Sequence, residues 1–159
     1  MGNVTATRTV PFTPATVWAA WADFGGIHRF HPFVKSSPLN GEQNDGVGAS
    51  RICHFEDGNF VEEVVREWDE GQAMTVEIVA GSMPVTDAIA HITLTPAVGG
   101  TEVTMAMSYK AKMGVLGAVM DKLVMQSKFT GMLETVLAAQ EAHLKSGELI
   151  GPDFKRTAA

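Results

Sequence analysis

The sequence predicts one α+β domain, a curved, seven-stranded antiparallel sheet gripping a long C-terminal helix around a small-ligand cavity. Three observations carry this expectation. Stretches of period-2 alternation recur along the first two thirds of the chain, separated by turns rich in Gly, Asp and Pro. From about Gly114 to Lys145 the apolar residues change to helical spacing. Successive strands joined by short turns build an antiparallel meander rather than parallel βαβ units.

Val4 to Val10 alternates with Thr5, Thr7 and Thr9 and reads as the first strand. Thr13-Pro14 supplies an N-cap followed by proline at the first helical position. Val17, Trp18 and Trp21 give that helix its buried face, and Gly25-Gly26 ends it. A second helical turn runs through Ile27 to Phe30, up to the His31-Pro32 step. Phe33 to Leu39 is the second strand, with Pro38 marking an edge or a bulge. Ala49 to Glu56 and Phe60 to Trp68 flank Asp57-Gly58, a two-residue hairpin signal.

Met74 to Ala80, Val85 to Thr95 and Thr101 to Lys112 complete the sheet; in the last, Val103, Met105, Met107 and Tyr109 share a face. On the long helix Leu116, Met120, Leu123, Ser127 and Thr130 form one track, bordered by Val119, Val124, Leu133 and Leu137. Gly147 follows as its cap. A sheet with one apolar face needs a cover, and this helix is the element long enough to give it. The domain is expected to span residues 1–150, with 151–159 as a flexible tail.

The 159 residues, 45% hydrophobic and 19% charged, hold enough apolar material for one packed core. A net charge of −6 with no run of Lys or Arg argues against nucleic acid and against an anionic membrane surface. No apolar stretch approaches the ~20 residues of a membrane span, so stable membrane insertion is not expected. Cys53 is the one cysteine and the N-terminus carries no signal pattern, which makes a cytoplasmic location the expectation.

Several stretches, taken in order, resemble the START-like (SRPBCC) superfamily. These are Val10 to Pro14 with Val17-Trp18; Ala22-Asp23-Phe24 followed by His31-Pro32; Gly48, Arg51, Asp57-Gly58, Glu63 and Asp69; Gly81, Pro84-Val85 and Asp87; and Gly99-Gly100-Thr101. The likeness covers about residues 3 to 146 and is greatest to bacterial polyketide cyclase/dehydrase-like members, relatives of birch-pollen-type allergens and plant abscisic-acid receptors. It implies a helix-grip fold. By resemblance to the hormone receptors, Lys35 matches their ligand-facing lysine and Glu63 their pocket glutamate. Asp57-Gly58 and Gly81 to Pro84 fall where those receptors have gating loops. Met83-Pro84 stands where their latch carries His-Arg, so hormone sensing is not carried over. Ala88 replaces a common aromatic, which should enlarge the cavity locally.

Buried charges need partners, so charged residues on inward strand positions are the candidates: Lys35, Arg51, Glu63 and Asp87. Lys35 or Arg51 would pair an acidic ligand group while Glu63 fixes its orientation; alternatively Arg51 and Glu63 form a structural cross-strand ion pair. His54 is a general-base candidate if it faces inward. Ala88, Met105, Met107, Met120 and Leu123 are expected in the cavity wall, where methionines suit a deformable apolar lining. No Cys/His cluster or His-Glu-x-x-His pattern supports a metal, and no bound cofactor is implied.

The expected function is binding or transport of a small hydrophobic molecule. The rival is a polyketide cyclase-like enzyme using an acid/base pair from Arg51, Glu63, Asp87 or His54. A ligand-gated regulatory protein is a third class, and the sequence is compatible with a homodimer.

Overall fold

The computed structural model describes residues 1–112 and 124–156. Alternation builds the first strand, β1 (Gly2–Val10): Val4, Ala6 and Val10 are buried, and the threonines between them face out. Helix α1 (Pro14–Ala22) starts as its sequence dictates, with Pro14 in its first turn and the Thr13 Oγ1 accepting the Thr16 N–H at 3.3 Å. A 3-10 helix, Phe24–Arg29, follows directly, earlier than the expected turn at Ile27.

Six further strands complete one sheet: β2 (Val34–Ser36), β3 (Ser50–Phe55), β4 (Phe60–Asp69), β5 (Ala73–Gly81), β6 (Val85–Ala97) and β7 (Gly100–Ala111). Their order is β1-β7-β6-β5-β4-β3-β2, with every neighbouring pair antiparallel. The meander is closed by β1 joining β7, from Gly2↔Tyr109 to Val10↔Thr101. At the β6–β7 turn the backbone leaves no room for a side chain: Gly100 has φ +154°, and a Cβ there would lie 1.9 Å from the Val10 carbonyl oxygen. Register shifts in β4 and β6 mark bulges, which bend a sheet into a curved half-barrel.

Two local expectations are corrected. The second strand covers three residues rather than seven, because beyond Ser36 the Pro38 carbonyl accepts the Ile52 N–H but Pro38 has no N–H to return. Asp57-Gly58 is not a two-residue hairpin turn: His54 pairs with Phe60, and residues 56 to 59 form a four-residue connection. Glu56 cannot continue the ladder because its N–H goes to the Phe33 carbonyl instead, at 3.0 Å.

Helix α2 (Gln126–Ser146) lies along the sheet, chiefly against β1. Phe129, Leu133, Val136, Leu137 and Gln140 form its buried face, and Phe129 packs edge-on to Tyr109 of β7 at 4.8 Å. It ends at Gly147, in the left-handed conformation with φ +72°, whose N–H caps the His143 carbonyl. The expected earlier part of this helix falls on residues 113–123, outside the described residues. After it, the Ile150 N–H donates to the Arg29 carbonyl and Arg156 pairs with Glu134.

Candidate functional site: a cavity under the C-terminal helix

The concave face of the sheet and the underside of α2 do not fill all the space between them. An inner cavity of about 80 Å³ is walled by aliphatic and sulfur side chains, including Val61, Val76, Ile78, Ile92, Met105 and Met107 from the sheet and Met132 and Leu133 from α2. Phe55, Met83, Phe129 and Met132 also border a wider mouth of about 530 Å³, so the two spaces adjoin. Asp57 and Asn59 from the β3–β4 connection, with Lys128 and Arg156, complete the mouth. Beyond Ile78↔Ala88, β5 and β6 stop pairing. An outer hollow of about 370 Å³ opens there, sharing Val61, Ile78, Met83 and Val85 with the inner cavity and carrying Glu77, Asp87 and Lys112 in its rim.

Among the described residues polar groups are few in the inner wall: Arg51, Glu63, His31 and the Trp21 indole. Arg51 and Glu63 face each other across β3 and β4, and the Arg51 Nε donates to the Glu63 Oε2 at 2.6 Å. A second guanidinium N–H goes to the Phe24 carbonyl at 2.8 Å, and the charged plane lies 3.8 Å from the Phe24 ring centroid. Burial works against the charge of Arg51, yet the Glu63 carboxylate holds its pKa above the ordinary guanidinium value. The Cys53 thiol donates to the same carboxylate at 3.6 Å. Burial and then Glu63 push its pKa up, so it stays a neutral thiol. This is a closed, compensated ion pair.

His31 is a site residue that sequence reasoning missed. It follows the 3-10 helix, with its ring set edgewise to Phe33 and Phe55. Burial lowers its pKa to about 4, with Glu63 opposing that shift and Arg51 adding to it, so the imidazole is neutral at pH 7. Trp21 and Phe129 are further wall residues without a sequence signal, whereas Met132 belongs to the methionines that the sequence sets near the sheet–helix junction. Nothing in their spacing distinguishes a cavity wall from a filled core.

Arg51, Glu63, Met105 and Met107 come together in the inner wall. Lys35, His54 and Asp87 do not, which corrects the expectation that they point inward. Lys35 and His54 take the solvent side of their strands, opposite buried Val34 and Cys53. Asp87 sits in the β6 bulge at φ +49°, where the extra residue turns it outward to pair with Lys110 at 2.8 Å. Ala88 is buried but does not border the cavity, whereas Ala90 does. Met120 and Leu123 lie outside the described residues. Among the described residues no group of three His, Cys, Asp or Glu is arranged to hold a metal ion, and no helix is long and apolar enough to cross a membrane.

Comparison with curated proteins finds no match. Among solved structures, XoxI from Bacillus cereus superposes with a TM-score of 0.76 at 18% identity, covering 92% of this chain and 97% of its own. A protein of Thermus thermophilus gives 0.75 at 21%, with 91% and 98% covered. The major latex-like protein 151 of Panax ginseng gives 0.74 at 15%, with 89% and 96% covered. Identities this low show the fold alone, and that fold is the helix-grip. The sequence model of the family described as "Polyketide cyclase / dehydrase and lipid transport" matches residues 1–145, and the chain belongs to that family.

Proposed function

We propose that the protein binds or transports a small hydrophobic molecule, held under α2 in the space that the inner cavity and the adjoining mouth make together. The observation that carries this reading is the wall itself: aliphatic, aromatic and methionine side chains enclose a space with few polar groups, the usual design of a small-molecule site. Met83 and Asp57, from the two turns beside the mouth, line its opening, and in this reading a ligand passes between them. Nile red, a neutral dye whose emission rises in apolar surroundings, tests the proposal. Saturable binding is expected, and Ala90→Trp or Met105→Trp should abolish it by filling the cavity while thermal melts still report a folded protein. Absence of binding, or binding untouched by both folded variants, would overturn it.

A second reading, a polyketide cyclase/dehydrase-like enzyme, is favoured by one observation: His31, a neutral base, lines the same wall as Arg51 and Glu63. There an imidazole would take a proton from a bound poly-ketone beside the Arg51–Glu63 pair. Turnover of such a compound, lost in His31→Phe with binding retained, would establish it; binding without turnover supports the carrier.

A further inference from the structure

Several buried polar atoms have no partner among the described residues, including those of Gln140, the Nε of Arg8 and the Oγ of Ser50. Two more differ from these in position. The Trp21 indole Nε1 and the His31 Nδ1 are buried atoms of residues that line the inner cavity and are only 3% and 8% exposed as whole residues. Native folds leave few buried polar atoms unpaired, and a ligand is one of the things that completes them.

Their chemistry defines what would satisfy them. An indole nitrogen can only donate, and a neutral imidazole offers one donor and one acceptor. Among the described residues the wall offers no unpaired charge to accompany them, because Arg51 and Glu63 neutralise each other at 2.6 Å and a further Arg51 N–H goes to the Phe24 carbonyl. A carboxylate or an ammonium entering the cavity would meet both members of that neutral pair. Either would lose its hydration without gaining a counter-ion.

We propose that Trp21 and His31 form a subsite for an uncharged oxygen. The cavity thereby selects apolar ketones, esters and alcohols over carboxylates and over plain hydrocarbons. The proposal rests on the ligand-binding reading above and narrows it.

Calorimetric titration at pH 7.5 with naphthalene, 2-acetylnaphthalene and 2-naphthoate separates the two. The ketone should bind about five-fold tighter than the hydrocarbon, the worth of about one net hydrogen bond. It should bind about ten-fold tighter than the carboxylate, the scale of an uncompensated charge in that wall. Trp21→Phe and His31→Phe should each pull ketone affinity toward that of naphthalene while leaving naphthalene itself little changed. Equal affinity for ketone and hydrocarbon in the wild-type protein, or a carboxylate that binds as tightly as the ketone, overturns the subsite while the ligand-binding reading stands. Failure of all three to bind overturns both. Because the wild-type ranking decides by itself, the test does not depend on either variant folding.

Discussion

Trp18 and Trp21 stand three residues apart on α1, both almost fully buried, yet the fold treats them differently. The Trp18 indole N–H donates to one oxygen of Glu70 at 3.0 Å, and the Trp68 N–H takes the other at 2.6 Å. The two rings meet edge-on at 5.0 Å. That end of the helix is fastened to the β4–β5 turn with its hydrogen-bonding groups used. One turn further, Trp21 packs edge-on to Phe30 at 5.1 Å and borders the cavity, its N–H unclaimed among the described residues. The contrast separates a part of the molecule built for stability from a part that leaves polar capacity open, and the open part is where a ligand finds its partners.

The strongest way to break this contrast is to open a closed group. Glu63→Ala leaves the buried Arg51 charge without its counter-ion and should destabilise the protein by about 3–5 kcal/mol in urea unfolding. A loss below about 1 kcal/mol, the range of exposed pairs, would mean that the pair is solvated and the wall is not closed there.

His31 gives the next effect through pH. Its native pKa of about 4 lies below the 6.5 of an unperturbed histidine. Above pH 6.5 it is neutral folded or unfolded and adds no pH dependence. As pH falls from 6.5 toward 4 the unfolded chain takes up the proton and the native state does not, so stability falls by roughly 3 kcal/mol in all. Glu63, Arg51 and Cys53 surround the same site, so the comparison to make is wild type against His31→Phe. The variant should lose that part of the slope; identical slopes would mean that His31 is not held neutral.

Smaller again is the difference between the two tryptophans. Trp18→Phe forfeits a charge-assisted hydrogen bond and Trp21→Phe forfeits none among the described residues. The first should therefore cost about 1.5–3 kcal/mol more in thermal or urea unfolding. Equal costs would show that Trp21 is as fully engaged as Trp18. Smallest of all, Lys35→Ala, His54→Ala and Asp87→Ala should change affinity for a neutral ligand by less than about two-fold. A larger loss in any of them would return that residue to the site.

Much of this was legible from residue pattern. The alternations of β1 and β7, the Thr13-Pro14 start of α1 and the Gly147 stop of α2 each follow from a local rule, and the structure keeps them. Arg51 and Glu63 were legible as opposite charges on neighbouring strands, but a two-residue Asp57-Gly58 turn would have set Arg51 opposite Val64, and the longer connection is what brings Glu63 across from it. Strand parity also bears on His54: on a regular strand Arg51 and His54 take opposite faces, so one inward excludes the other. Asp87 escaped the same rule, since parity with buried Val85 would turn it inward and the bulge reverses it. His31 was illegible for a different reason. Its burial is set by Phe33 and Phe55 closing over it, contacts that no local period encodes.

An indole NMR titration asks the tryptophans directly. The protein has three, Trp18, Trp21 and Trp68, so its ¹H–¹⁵N spectrum carries three indole signals, assigned by the Phe variants. On saturation with 2-acetylnaphthalene the Trp21 signal should move downfield as its N–H gains an oxygen partner, while those of Trp18 and Trp68, both held by Glu70, stay in place. A Trp21 signal that stays still at saturation, with Trp18 or Trp68 moving instead, would contradict the account.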